Sequence, residues 1–485
     1  MVQQDHEAEA AASSSVTSSP LQYFSFMSIS PGSPYAPWLH ELKSDERGLY
    51  LIHLLLNCAN HVAAGSLDQA NTCLEHISLL ASPTGDTMQR IASQFTEALA
   101  RRVLRSWSGL YRALNSTLNR VPDALAARRH FFDLCPFVKL SYLISNQAIL
   151  EAMEGEKVVH IIDLNASEPV QWLALLQALS ARQEGPPHLR ITGVQPQKEL
   201  LDLTGMRLAE EAEKLDIPFQ FHPVVSKLDN LDVESLRVKT GEALAITSLF
   251  QLHCLLASNE DNGNGFQKLS LTPIPSSAEN NFFQFRRIAQ MGPGTLGELL
   301  EKDLTNVSGY SPSPDSASSS PFTLAPSPTM ETFLSSLWGL SPKIMIVTEQ
   351  ESNHNGAAMN ERFMEALNFY AALFDCLEST VPRISPERMK VEKMLFGEEI
   401  INIIACEGGE RRERHEKLEK WVKRLDMAGF ARVPLSYYGL LQAKRLLQSY
   451  GCDGYKLKEE NGCFHICWQD RALFSVSAWR CRRFD

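Results

Sequence analysis

The stretch "VVHIIDLNASEP", residues 158–169, decides how the rest of the chain is read. Val158 to Asp163 form a run of branched apolar residues that ends in a carboxylate, and a helical pattern begins near Pro169. A buried strand, a tight connection and a helix make up a repeating unit of many α/β sheets. In such sheets this turn is where nucleotides and methyl donors are held.

Working outward, the pattern alternates on the C-terminal side. Apolar strands are expected at 158–163, 188–194, 218–222, 243–249 and 343–348, with helices at 170–182, 197–215 and 357–376 between them. Strands apolar on both faces and alternating with helices predict a parallel sheet covered on each side. Further helices are expected at 386–405, 412–427 and 437–449. "DGYKLKEENGCFHICWQDRALFSVSAW" then reads as antiparallel strands added at one edge.

On the N-terminal side, Leu51, Leu55, Cys58 and Val62 recur at spacings of four, three and four. Leu67, Ala70, Leu74 and Ile77 follow the same rhythm, as do Ile91, Phe95 and Ala98. These are amphipathic helices of about two turns each, broken by "AAGS" and "ASPTGD". Residues 1–40 are Ser-, Pro- and Ala-rich and read as a disordered tail. Residues 41–485 read as one domain, a mainly helical cap at 41–155 and an α/β core at 156–485. Loose insertions near 258–265 and 309–328 flank a helical stretch around Asn281–Leu300.

Composition narrows the function. The 485-residue chain has 57 acidic and 46 basic residues, a formal charge of −11, so bulk charge does not drive it onto DNA. Ten scattered cysteines and a polar, Ser-rich start without a secretory leader suit a reducing compartment, nucleus or cytosol. No apolar run is long enough to span a membrane.

The enzyme reading can be tested at the opening turn. Methyltransferases of this architecture carry Asp-x-Gly-x-Gly-x-Gly, because bare backbone must approach the ligand. Here the glycine positions after Asp163 are Asn165, Ser167 and Pro169. The second strand ends in "ITGVQPQ", with Gln195 where a ribose-binding acid belongs. No P-loop and no G-x-S-x-G elbow occurs. "CFHIC" spreads Cys463 and Cys467 about 13 Å apart on a strand, too far for one zinc. "RHEKLEK" lacks the second histidine of a zinc-protease helix. Catalytic residues, cofactors and metals are therefore not expected, and His160 reads as a satisfied core histidine.

Several blocks together resemble one family. "VHIID" (Val159, His160, Ile161, Ile162 and Asp163) follows a leucine-patterned helical block. After it come "FYAALFDCLE" at 369–378, "INIIACEG" at 401–408, "ERHEKLEKWVKRLDMAGF" at 413–430 and "SVSAW" at 475–479. The order and spacing are similar to the GRAS family of plant transcriptional regulators from about residue 45 to the end. The resemblance implies a methyltransferase-like Rossmann core with a helical cap, action in the nucleus and no catalysis. It implies partners of three kinds: other GRAS proteins including DELLA repressors, zinc-finger transcription factors of the indeterminate-domain class, and a second copy or family member as a dimer. DNA is then reached through partners, in gibberellin response and root development. One departure stands out: the family's Arg-Glu pair is Glu398–Glu399 here, so an internal carboxylate that the arginine would pair with must be satisfied another way or lack the bridge.

The motif residues Leu51, Leu55, Val62, Phe369, Tyr370, Glu399, Trp421, Trp468 and Trp479 are interaction candidates, with core packing the competing reading for the leucines and tryptophans. "LIHLL" (51–55) and "LHCLL" (252–256) fit a coregulator-docking pattern but also suit buried helices. "ERRER" (410–414) reads as a solvated helix start, and "RCRR" (480–483) as a short basic run. The Ser-Pro steps of 309–328 could be switched by phosphorylation or act as a solvated spacer. Two rival functions stay open: a small-molecule or S-adenosylmethionine-type site near Asp163, and direct DNA binding through Arg101, Arg102 and Arg105.

Overall fold

The computed structural model describes residues 42–115, 121–257, 324 and 327–482. The expected tail, the phosphorylation segment, most of the two insertions and Arg483 lie outside the described residues.

Strand β1 (Val158–Asp163) pairs in parallel with β2 (His188–Val194) on one side and β4 (Ala243–Leu249) on the other. Beyond them lie β3 (Phe219–Val224) and β5 (Ile344–Gln350), also parallel. The order β3-β2-β1-β4-β5 reverses direction of growth between β1 and β4, which makes that gap the topological switch point. Antiparallel β9 (Arg471–Cys481) then adds to β5. It carries β8 (Cys463–Trp468) and β7 (Tyr455–Glu460) outward, and β6 (Phe430–Val433) also pairs with it. The expected strands are found, with shifts of one or two residues at their ends. This is the α/β architecture the alternation predicts, a parallel core extended by antiparallel C-terminal strands.

Two apolar layers cover the sheet. Val159 and Ile161 face helices α6 (Phe137–Ala152), α7 (Val170–Ser180), α8 (Lys198–Lys214) and α10 (Met359–Thr380). Ile162 faces the opposite layer, built from α9 (Pro328–Gly339), α13 (Leu418–Met427) and the 3₁₀ turn Leu252–Leu256. The two-residue period of β1 thus sends successive side chains into different cores.

The N-terminal helices α1 (Ser44–Ala64), α2 (Leu67–Leu80) and α3 (Thr87–Leu104) are 21, 14 and 18 residues long, so the two-turn estimate was short. Their junction is built by capping. The Asp86 carboxylate receives the Gln89 backbone N–H, and Ser44 and Arg47 of α1 also donate to it. The block shares its core with the rest of the chain. Phe95 stacks edge-on against Phe363 of α10 at 5.3 Å, and one continuous apolar cluster runs from Tyr50 to Ala478. Small helices α4 (Ser108–Asn115) and α5 (Val121–Leu134) link it to α6.

The expected helix 386–405 is interrupted. Helix α11 (Pro386–Lys390) passes through a π turn, Val391–Phe396, into α12 (Gly397–Ala405). The extra residue of a π turn re-aims the following turn. Directly after it, Gly397 packs toward α3, where a Cβ would stand 2.4 Å from Gln94 Oε1.

The expected helix 412–427 begins only at Leu418, and "ERRER" is no solvated helix start. Arg411, Arg414, His415 and Glu416 are buried in a mainly extended stretch. Arg414 donates to the Gly408 and Arg411 carbonyls, and Arg411 to that of His354. The Arg411 acceptor lies 57 residues away, outside any local helical pattern, while those of Arg414 lie three and six residues back. Helix α14 (Tyr437–Gln448) matches expectation to within a residue.

Candidate functional site

The turn after β1 is closed by its own side chains. Asp163 Oδ1 accepts the Asn165 N–H at 2.9 Å, and Oδ2 accepts the Trp172 indole N–H at 2.8 Å. Burial pushes its carboxyl up to about 6 against those two donors. The Asn165 amide reaches across to the Leu249 carbonyl at 3.1 Å, bridging the ends of β1 and β4. On the β2 side, Gly193 is required because a Cβ would come within 2.7 Å of Ala166 Cβ. Groups of the protein thus fill the place where a dinucleotide would approach bare backbone.

In front of the carboxyl ends of β1, β4 and β5 lies a cavity of ≈ 160 Å³. Its apolar wall includes Phe131, Val138, Tyr142, Phe250, Phe396 and Phe474. Its polar side carries His253, Cys254, Gln350, Glu399, Glu413 and His415. Phe250 adopts a φ of 52°, a left-handed conformation that is costly for an aromatic residue. The bend precedes Gln251 and Leu252, whose backbone N–H groups both point at Glu349 Oε1, at 3.2 and 2.8 Å.

Glu349 Oε2 in turn holds His253 Nδ1 at 2.7 Å, and His253 Nε2 meets Glu413 Oε2 at 3.1 Å. His415 Nε2 lies 3.2 Å from the same Glu413 oxygen, and His415 Nδ1 lies 2.9 Å from His354 Nδ1. Burial disfavours charge on His253, but Cys254 and Glu349 beside it hold its pKa well above the usual imidazole range. Burial keeps His354 and His415 below that range. Glu399 finds its partners in Tyr370, whose hydroxyl donates at 2.7 Å, and Gln350 at 3.4 Å. Burial and then the Glu413 charge push its carboxyl up to about 7.

Tyr370 and Glu399 are the motif residues brought together here. His160 is in the other layer, fully buried, with Nε2 2.8 Å from Thr192 Oγ1 and Nδ1 3.2 Å from Glu242. Burial, then the neighbouring Arg190, lowers its pKa to about 4. Leu51 and Leu55 are wholly buried in α1, Val62 partly, and Phe369 sits inside α10. The three tryptophans are buried, Trp468 donating to Asp375 at 2.7 Å and Trp479 to Ser477 at 2.9 Å. "LHCLL" is a 3₁₀ turn rather than an amphipathic helix. Of the arginines of the DNA-binding rival, Arg102 and Arg105 tie the end of α3 to residues 404–410, and Arg101 pairs within α3. Arg101 pairs with Glu97, Arg102 with Glu407 and Arg105 with Glu410, and Arg102 and Arg105 also donate to the Ile404 and Ala405 carbonyls.

The sequence reading missed His253, His354, Glu349 and Glu413 as a site, and it weighed His415 only against a zinc-protease pattern. They come from three separate segments, so no local spacing signals them.

The chain matches the GRAS domain family over residues 51–480. It is 62% identical to "Scarecrow-like protein 3" of Arabidopsis thaliana, over 97% of this chain and 98% of that one. It is 50% identical to "GRAS family protein TF80" of Medicago truncatula, covering 93% and 99%. With "DELLA protein RGL1" of Arabidopsis thaliana it shares 33% identity over 92% of this chain and 72% of that one. The crystal structure of SCL7 in Oryza sativa superposes with a TM-score of 0.67 at 29% identity, covering 89% of this chain and 99% of that one. By a family match over residues 51–480 and by 62% identity to a relative along nearly its whole length, the chain belongs to the GRAS domain family.

Proposed function

We propose that this protein is a non-enzymatic transcriptional regulator that acts in the nucleus by gripping other proteins, in plant development and gibberellin signalling. The observation that carries this reading is the β1–α7 turn. Asp163 is spent on Asn165 and Trp172 inside the fold, and the glycine positions hold Asn165, Ser167 and Pro169. A dinucleotide or methyl donor finds no bare backbone there. The high identity to Scarecrow-like protein 3 and the similarity to a DELLA protein support the same reading.

The partners proposed are other GRAS proteins, including DELLA repressors, and zinc-finger factors of the indeterminate-domain class that contact DNA themselves. The acidic balance of −11 suits a chain that leaves phosphate contacts to a basic partner. On the helical block, Leu79, Trp107 and Leu110 are each about half exposed, apolar side chains of the kind that anchor interfaces. The β7 edge, with exposed Lys456, Lys458 and Glu459, offers unpaired backbone at the opposite end of the sheet.

Pull-down of DELLA and zinc-finger partners by full-length protein tests this. The triple variant Leu79→Asp, Trp107→Asp, Leu110→Asp should keep its circular dichroism and lose GRAS partners. Retention of every partner by that folded variant overturns the assignment to the helical block. Calorimetry with S-adenosylmethionine and nicotinamide dinucleotides should give no binding, and micromolar binding there would overturn the non-enzymatic reading.

A further inference from the structure

We infer that His253, Glu413 and His415 form a binding site for one divalent transition-metal ion, of the zinc type, on the polar side of the cavity. The inference stands apart from the regulatory reading, because it concerns how the loop after β4 is tied to the extended stretch before α13.

The geometry is that of three ligands sharing a point. His253 Nε2, Glu413 Oε2 and His415 Nε2 all lie within 4.8 Å of one another, with the two histidine–carboxylate separations at 3.1 and 3.2 Å. Tetrahedral bonds of about 2.0–2.1 Å place neighbouring nitrogen and oxygen ligands about 3.3–3.4 Å apart. Only small side-chain adjustments separate the two arrangements. Two histidines and a glutamate is a donor set that zinc takes readily, the fourth position going to water or a ligand. That position faces the cavity, where Cys254 Sγ lies 3.4 Å from His253 Nε2.

A buried charge network alone would account for the carboxylates, but it leaves one feature without a role. His415 Nε2 is fully buried and, although 3.2 Å from Glu413, lies off the angle of a hydrogen bond. Its lone pair or proton is therefore wasted on the network, whereas a metal ion at the shared point would use it. The outer nitrogens carry the second requirement of a metal site. His253 Nδ1 is fixed by Glu349, itself pinned by two backbone N–H groups, and His415 Nδ1 by His354, which Ser352 Oγ meets at 2.9 Å. Outer-shell contacts of this kind orient the ring that binds the ion. Glu349 and Glu413 flank His253 on its two ring nitrogens, so an ion bound at Nε2 takes the place of the proton held there.

Titration of full-length, chelator-treated protein with zinc chloride tests the site. One equivalent should bind with micromolar affinity or tighter and raise the thermal midpoint. Glu413→Gln, whose side chain is partly exposed and whose fold should persist, should weaken binding at least a hundredfold. Glu349→Gln, one shell out, should cost about 10–100-fold. His61→Gln, on the far helical block, should leave the affinity unchanged. Absence of saturable binding in the wild type overturns the inference, as does one-equivalent binding that Glu413→Gln and His415→Gln leave intact in folded protein.

Discussion

Replacing Glu392 by glutamine should unlatch the helical block from the core. Glu392 lies in the π turn between two arginines, 3.0 Å from Arg90 Nε of α3 and 2.9 Å from Arg388 Nε of α11. All three side chains are at most 4% exposed. Glu378, more exposed, pairs with the same two guanidiniums, and Arg90 and Arg388 also donate to the Gly85 and Val381 carbonyls at 2.7 and 2.8 Å. Glutamine keeps the shape but turns an NH₂ toward a guanidinium and leaves two buried cations sharing one carboxylate. Removing one partner of a buried pair costs about 3–5 kcal/mol. With Glu378 still in place the lower end applies, about 3 kcal/mol. For a chain of this size the unfolding entropy is roughly 1.0 kcal/mol/K, so the thermal midpoint should fall by about 3 °C. Scanning calorimetry with a urea titration at pH 7 measures both quantities. The double change Arg90→Met, Glu392→Met leaves Arg388 and Glu378 as a balanced pair and should recover more than half of the loss. A Glu392→Gln variant within about 0.5 kcal/mol of wild type would refute the reasoning, since solvated charges lose little on neutralisation.

Asp163→Asn should cost about 1–3 kcal/mol in a urea titration, because an amide cannot accept from both the Asn165 N–H and the Trp172 indole. Gly193→Ala forces a methyl within 2.9 Å of the Phe221 ring and within 2.7 Å of Ala166, and overpacking of this kind costs about 1–3 kcal/mol by the same assay. The pH dependence has a definite sign. Burial pushes the Glu351 carboxyl up to about 7 from 4.5, so the native state keeps a proton that the unfolded chain has lost. Its contribution to stability therefore falls as pH rises from about 4.5 to 7, at most about 1.4 kcal/mol per pH unit. Urea midpoints at pH 5 and pH 8 should show a smaller drop for Glu351→Gln than for wild type.

What the sequence determined by itself is the local grammar. The period-two run at 158–163 and the period-3.6 runs around Leu51, Leu67 and Ile91 specify strand and helices, because backbone geometry fixes which side chains share a face. The five strands, their alternation with helices and the glycine-poor turn after Asp163 were legible from that grammar, and the family blocks supplied the architecture above it. Tertiary structure decided the rest. "ERRER" has helical spacing, yet Arg411 and Arg414 are drawn inward by carbonyls dozens of residues away or across a loop, which no local period encodes. Helix 386–405 is interrupted by a π turn just before it packs toward α3 at Gly397, a meeting between distant segments. His253, the Glu349–His354 stretch and His415 lie on three segments and become neighbours only beyond the carboxyl ends of the adjacent strands β4 and β5. Proximity there is a property of strand order, and strand order is settled by the packing of the whole chain.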